Sequence, residues 1–492
     1  MHKHLRLALA TACAAALTGG LLTFSAASAT AADSVHHPVA DFNGDGFGDV
    51  AYSAGGATVG GKRNAGQVVA LYGSANGVTS TNRTTFSQNT TGVPGSAESD
   101  DWFGWSSAYG DFNGDGYDDL AVSAPTEDVS GDTDGGTVLV AWGSASGLSG
   151  ATTIKDLAPS SHDRWGRSLA AGDFDGDGTE DLAIGNSSNV VYVVGDGISK
   201  SGSFGDQYAV KLDILSGKGT GAIMLTAGDA NGDKRTDLVV DGFETDSEYG
   251  YNTNWYVPGA ADGLGADGGV RELKRGVITG IADINGDGFG DIVTGQDWDP
   301  SKDGSQPSVP GSSTGGKIHI LYGSATGPAT TVAVTQDSGN VPGSAERGDF
   351  FGSELSLGDI NGDGKADLVV GAPGENLNGV VNAGALTVLY GSESGVNTTS
   401  GYQYFAQSTA GVPGTDERDD QLGGEVKLTD VTGDGRADLT AGSYGENDYN
   451  GSVLYLPSNG TKITTTGSRS LAPSSVGVST DAYPMFGANA AN

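Results

Sequence analysis

Short apolar runs separated by polar, glycine-rich turns recur along the whole chain. QVVALYG, LAVSAP, TVLVAWG, KIHILYG, LVVGAP and ALTVLYG are typical, each bounded by clusters of Gly, Asp, Asn or Ser. Runs this short, rich in Val, Leu, Ile and Tyr, have the length and composition of strands. No segment after the N-terminal leader has the 3.6-residue period of an amphipathic helix. The pattern predicts an all-β protein of many short strands.

One segment recurs seven times, starting at Asp41, Asp111, Asp173, Asp229, Asp283, Asp359 and Asp430, at spacings of 70, 62, 56, 54, 76 and 71 residues. Its fullest form is GDFNGDGYDDLAVSAP, from Gly110 to Pro125. Before it stands a strand opening on an aromatic and a glycine (FGWSSAYG, WGRSLAAG, FGSELSLG). After it come DLAVSAP or DLVVGAP, a third strand such as GTVLVAWGS, and a weaker fourth such as RTTFSQ or YQYFAQ. Four antiparallel strands per unit and seven units predict a seven-bladed β-propeller, whose ring leaves only short, protected edges. The pairs Phe103-Gly104, Trp165-Gly166, Phe351-Gly352 and Leu422-Gly423 each begin eight residues before their loop aspartate. Phe486-Gly487 is followed by no loop, and the first loop is preceded by no such pair. The C-terminal segment is therefore expected to complete blade 1.

Each loop carries oxygen-bearing side chains at positions 1, 3, 5 and 9, usually with glycine at position 6. Alternate oxygens around a tight turn are how a short loop wraps a hard cation, and Ca²⁺ takes six to eight of them, including a backbone carbonyl at position 7 of such loops. Solvated Asn-Gly or Asp-Gly turns would explain the glycines but not the aspartates in every copy. The expected ligands are Asp41, Asn43, Asp45, the Phe47 carbonyl and Asp49; Asp111, Asn113, Asp115, Tyr117 and Asp119; Asp173, Asp175, Asp177, Thr179 and Asp181. They continue with Asp229, Asn231, Asp233, Arg235 and Asp237; Asp283, Asn285, Asp287, Phe289 and Asp291; Asp359, Asn361, Asp363, Lys365 and Asp367; Asp430, Thr432, Asp434, Arg436 and Asp438. Up to seven Ca²⁺ ions are expected between the first and second strands of the blades. The third loop, with four carboxylates, should bind well. The loops at Asp229 (Lys234 in place of glycine) and Asp430 (Thr432 at position 3) should bind most weakly. Asp118 is expected to face water.

These successive elements, FG…GDFNGDGYDDLAVSAP…VLVAWGS and FGSELSLGDINGDGKADLVVGAP…GALTVLYGS, resemble the FG-GAP repeat proteins, of which the integrin α propeller is the familiar example. The resemblance covers roughly residues 35–490. It implies a seven-bladed propeller with Ca²⁺ in the first loop of each blade, and the aspartates named above fall on its motif positions. The GAP element is degenerate in blades 3, 4, 5 and 7, and blades 4 and 5 lack a clear FG, so these blades should be less regular.

Charge narrows the partners. The chain has 61 Asp+Glu against 25 Lys+Arg, a formal net charge of −36. That argues against nucleic acid and anionic membrane surfaces. Residues 1–32 read as a secretory leader: Lys3 and Arg6, an apolar stretch from Leu7 to Leu22, then ASATAA, with cleavage near Ala29–Ala32. Cys13, the only cysteine, leaves with it, so no disulfide or thiolate metal site is expected. No later stretch reads as membrane-inserting. Residues 33–492 are expected to form one secreted, monomeric propeller.

Alternating strand direction puts the calcium loops on one face of the ring and the variable inserts on the other. The longest insert is Gln296–Gly316; in the resembled family this is the face that acts as a ligand surface. An extracellular protein or carbohydrate ligand is expected there, with Trp298 and Trp255 as candidate contacts. Arg347-Gly348-Asp349 spells an adhesion tripeptide, but Asp349 occupies the repeat position of Asp101, Asp163 and Asp420, so a repeat turn is the simpler reading. No catalytic constellation stands out. Only His36, His37, His162 and His319 follow the leader, and the single G-x-S-x-G string, Gly311–Gly315, lies inside the insert rather than in a strand-turn-helix setting. The expected function is a binding or adhesion module. A secreted esterase- or glycosidase-type hydrolase and a lectin are the alternatives.

Overall fold

The computed structural model describes residues 39–217, 219–246, 248–300 and 308–491. The expected leader, His36 and His37 lie outside the described residues, as do residues 301–307 of the longest insert.

The chain folds into seven small antiparallel sheets. Blade 2 is typical: Ser107–Gly110, Asp119–Ala124, Thr137–Trp142 and Ser149–Ile154 pair in chain order. Blades 3 to 7 repeat the order, giving the expected all-β, seven-bladed propeller. First strands of neighbouring blades touch around the axis. Ser106 Oγ accepts the Leu169 N–H (3.0 Å), and Ser356 Oγ accepts the Leu428 N–H (2.9 Å).

The hydrophobic cores lie between blades rather than within them. Phe42, Val68, Phe86, Phe103, Tyr109, Leu120 and Leu139, from blades 1 and 2, form one cluster. Tyr52, Val69, Val431, Tyr455 and Phe486 join blades 7 and 1 in another. A two-sided sheet of short strands buries both faces only when a neighbour covers each, so the ring is the unit of stability.

The aromatic-glycine pairs fasten each blade to the one before. The N–H of Phe103 donates to Ala65 O (3.1 Å), that of Trp165 to Gly135 O (2.9 Å), that of Phe351 to Gly315 O (2.8 Å) and that of Leu422 to Ala383 O (3.1 Å). The glycine that opens the preceding blade's third strand must let this backbone through. At Gly66, with φ +84°, an added Cβ would lie 2.1 Å from Phe103 O. Blades 4 and 5 lack the pair, and the bonds at the start of their first strands stay within the blade: the Ile223 N–H reaches Asp241 O (2.8 Å) and the Val277 N–H reaches Gly295 O (2.7 Å).

Blade 1 is composite. Its own three strands are Val50–Ala54, Gln67–Leu71 and Arg83–Phe86. The C-terminal segment supplies the fourth: Gly487 N–H donates to Ser53 O (3.0 Å), Ser53 N–H to Asn489 O (2.8 Å) and Ala491 N–H to Ala51 O (2.9 Å). Phe486 N–H donates back to Asn450 O of blade 7 (3.1 Å), which closes the ring.

The opposite-face motifs now have places. Asp349 is fully buried and its Oδ2 accepts the Glu346 N–H (2.6 Å), as Asp101 does for Glu98 (2.6 Å) and Asp420 for Glu417 (2.8 Å). The Arg-Gly-Asp tripeptide is thus the repeat's own turn. Gly311–Gly315 folds as turns, with the Gly316 N–H on Ser313 O (3.1 Å), and leads into a strand rather than a helix. Trp298 is half-buried just after Asp291–Gln296. Trp255 corrects an expectation: it sits on the third strand of blade 4, packed against a core cluster, not on a ligand-facing loop. Strand alternation across Asn252–Val257 turns it toward neighbouring side chains.

Candidate metal centre

All seven loops share one geometry. The position 6 N–H donates to the position 1 carboxylate, from Gly46 to Asp41 (2.9 Å) through Gly435 to Asp430 (2.7 Å). The position 7 N–H donates to the position 5 carboxylate, from Phe47 to Asp45 (3.0 Å) through Arg436 to Asp434 (3.0 Å). These bonds curl each loop around the position 1 and position 5 carboxylates. In the third loop Asp173, Asp175 and Asp177 each offer a carboxylate oxygen within 4.8 Å of the others.

Position 9 has a second task that its motif position did not reveal. Asp49 is buried; its Oδ2 accepts the Phe42 N–H (2.8 Å) and its Oδ1 the N–H of Gly73 (2.9 Å), the glycine after the third strand. Asp237, Asp291 and Asp367 make both bonds in their blades, to Ala230 and Gly259, Ile284 and Gly323, and Ile360 and Gly391. Asp119 holds Gly143, Asp181 holds Phe174 and Asp438 holds Ser458. Position 9 therefore ties loop to strand, and in the third loop Asp181 is not among the carboxylates that converge within 4.8 Å. Burial pushes Asp49, Asp181 and Asp367 up to about 8, and Asp119, Asp237, Asp291 and Asp438 up to about 7. Carboxylates so desolvated hold their charge only against a nearby positive charge. The donor set fits a hard cation: convergent oxygens, no nitrogen or sulfur, and buried acids lacking counter-charge.

The loops also form a girdle. At six junctions the position 8 N–H donates to the position 1 carbonyl of the preceding blade: Asp118 to Asp41 (3.2 Å), Thr236 to Asp173 (2.8 Å), Gly290 to Asp229 (3.1 Å), Ala366 to Asp283 (2.8 Å), Ala437 to Asp359 (2.8 Å) and Gly48 to Asp430 (2.9 Å). Position 7 side chains lie over the position 4 glycine of the neighbouring loop, as Tyr117 does over Gly44 and Arg235 over Gly176. Asp118 corrects a second expectation. It is buried, and its Oδ2 accepts the Asp41 N–H (2.7 Å). Position 8 abuts the preceding blade, so a side chain there has no route to water.

Charge around the loops is uneven. The third gains Asp196, which hydrogen-bonds Asp177 and is itself shifted upward by that bond. In register, Asp196 stands where blades 1, 2, 4, 5 and 6 carry the glycine after the third strand (Gly73, Gly143, Gly259, Gly323 and Gly391) and blade 7 carries Ser458; that odd residue was the available signal. In the fourth and seventh loops an arginine at position 7 turns to its own position 5 carboxylate, Arg235 to Asp233 at 3.5 Å and Arg436 to Asp434 at 3.9 Å. In the second, Lys200 reaches Asp115 at 2.9 Å.

Comparison with known proteins agrees with this architecture. The FG-GAP repeat profile matches residues 38–71, 103–140 and 351–389, and the FG-GAP-like repeat profile matches residues 173–240. Integrin alpha-PS2 of Drosophila melanogaster is 26% identical over 280 residues, 56% of this chain and 16% of that protein. Integrin alpha pat-2 of Caenorhabditis elegans is 30% identical over 289 residues, 51% and 22%. The phosphatidylinositol-glycan-specific phospholipase D of Mus musculus is 34% identical over 175 residues, 35% and 19%. The matches thus span about a fifth of each relative. With these repeats on seven blades, the chain is an FG-GAP repeat protein.

Proposed function

We propose that this protein is a secreted, calcium-stabilised propeller that serves as an extracellular binding or adhesion module. The convergence of Asp173, Asp175 and Asp177 in the third loop carries the calcium reading. The integrin relatives support an extracellular ligand, the expected leader at residues 1–32 supports secretion, and no helix among the described residues is long and apolar enough to cross a membrane. Calcium acts here as structure. Each ion neutralises the carboxylates of one loop, and the position 8 bonds pass that rigidity to the neighbouring blade. The third loop binds most tightly, because Asp196 adds charge. The fourth and seventh bind least, because Lys234 replaces the turn glycine in one and Thr432 the position 3 amide or carboxylate in the other, and Arg235 and Arg436 turn to the position 5 carboxylates besides.

A cation bound only by the native ring adds stability by mass action. Melting in excess Ca²⁺ against melting in EDTA tests this. A melting temperature lower by many degrees in EDTA is expected; identical curves, with no Ca²⁺ uptake by calorimetry, would remove the proposal.

A further inference from the structure

Between the starts of blades 2 and 3, on the face opposite the loops, lies a pocket of about 280 Å³ lined by Trp102, Trp105, Pro125, Thr126, Arg164 and Arg167. The two indoles meet edge to face, with ring centroids 6.2 Å apart, and Trp105 is 45% exposed. No carboxylate lines the pocket, in a chain with 61 acidic residues and 25 basic ones. Two guanidiniums instead share it.

That arrangement is costly for the protein alone. Arg167 is half-buried; burial first, and then the like charge of Arg164, push its guanidinium downward. One Arg167 Nη2–H donates to Gly219 O (3.1 Å), while its Nε is buried without a partner. The acid it faces, Asp241, is itself held well above the usual carboxylate range by burial, and its Oδ2 accepts from Asn252 (2.6 Å). Asp241 opposes the downward shift of Arg167, but burial outweighs it. Trp102 and Arg164 both stand in the left-handed region, at φ +56° and +60°. This backbone belongs to the repeat, since Phe350, Gln421 and Met485 share it; the side chains it carries into the pocket do not recur.

We infer that this pocket binds one uronate residue of an acidic polysaccharide, its carboxylate on Arg164 and Arg167 and its ring against the tryptophans. Planar guanidiniums take carboxylates in a bidentate fork. The indole faces offer flat apolar area for the C–H face of a pyranose, and the volume suits one ring. An acidic peptide side chain would bring the charge but leave the apolar walls uncovered. This inference rests on the binding-module reading and names its ligand class.

The test titrates the calcium-loaded full chain with trigalacturonate, with a neutral trisaccharide and with a tri-glutamate peptide, followed by tryptophan fluorescence and calorimetry. Trigalacturonate should bind at least tenfold more tightly than either control. Trp105→Ala and Arg164→Gln should each weaken it tenfold or more while leaving the melting temperature unchanged. Equal binding of the neutral sugar, tighter binding of the peptide, no binding, or variants that bind normally would each overturn the assignment. If trigalacturonate fails while a matrix protein binds and tolerates Trp105→Ala, the pocket is wrong and the module reading stands.

Discussion

Position 1 of every loop accepts the same backbone N–H, from Asp41 round to Asp430. On the opposite face, five equivalent positions share a backbone and almost nothing else. The residue before each aromatic-glycine pair has φ between +49° and +60°, yet it is Trp102 in blade 2, Arg164 in blade 3, Phe350 in blade 6, Gln421 in blade 7 and Met485 in the closing segment. On the loop face both backbone and side chain recur, because every loop must solve the same charge problem. On the other face only the backbone recurs. The repeat builds the scaffold, and departures from it supply the surface on which recognition depends.

The largest expected effect erases the contrast by opening the ring that carries both faces. Phe486 is fully buried between blades 7 and 1. Phe486→Ala should cost about 3–5 kcal/mol in urea unfolding, the usual range for a core phenylalanine. A cost below about 1 kcal/mol, within the scatter of surface substitutions, would mean that the C-terminal strand does not hold the ring.

Next comes the wall between the faces, where Glu354 and Glu425 stand on adjacent first strands. Burial pushes Glu354 up to about 8, and burial with the nearby Glu354 pushes Glu425 well above its ordinary 4.5. The native state then keeps protons that the unfolded chain releases, so stability falls as pH rises from 4.5 toward 8. Lys427, which burial holds down to about 7, tilts the balance the other way only above that value. Measured between pH 4.5 and 7 at fixed excess Ca²⁺, Glu425→Gln should flatten the decline relative to the unaltered chain. An unchanged slope would contradict the assignment.

The smallest effect probes one irregularity on the regular face. Lys234 holds φ +72° where the other loops place glycine, yet it keeps the bond to Asp229 Oδ2 (2.8 Å). Lys234→Gly relieves the left-handed strain and should stabilise by about 1 kcal/mol. Destabilisation would show that the lysine side chain has a role that the loop geometry does not reveal.

The regular face was the legible one. Seven copies of a period expose blade number and loop positions, and the unmatched Phe486-Gly487 pair exposes the composite blade, because each of these is a property of order along the chain. What escaped depends on neighbours in other turns or other blades, up to 77 residues away for Asp118 and Asp41. Asp118 reads as one more acidic residue until the Asp41 N–H is placed against it. Asp196 becomes part of the third loop only when the turn after the third strand folds back onto Asp177. Trp102, Trp105, Arg164 and Arg167 come from two blades, and no periodicity marks a site that occurs once.

The central claim is that the loops are cation sites graded by their charge, and calorimetric Ca²⁺ titration of the full chain and two variants tests it most directly. Asp177→Ala should remove the tightest binding phase and lower the melting temperature in Ca²⁺, whereas Asp434→Ala should remove only a weak phase. Equal small losses from both variants, or Ca²⁺ uptake unchanged in both, would contradict the account.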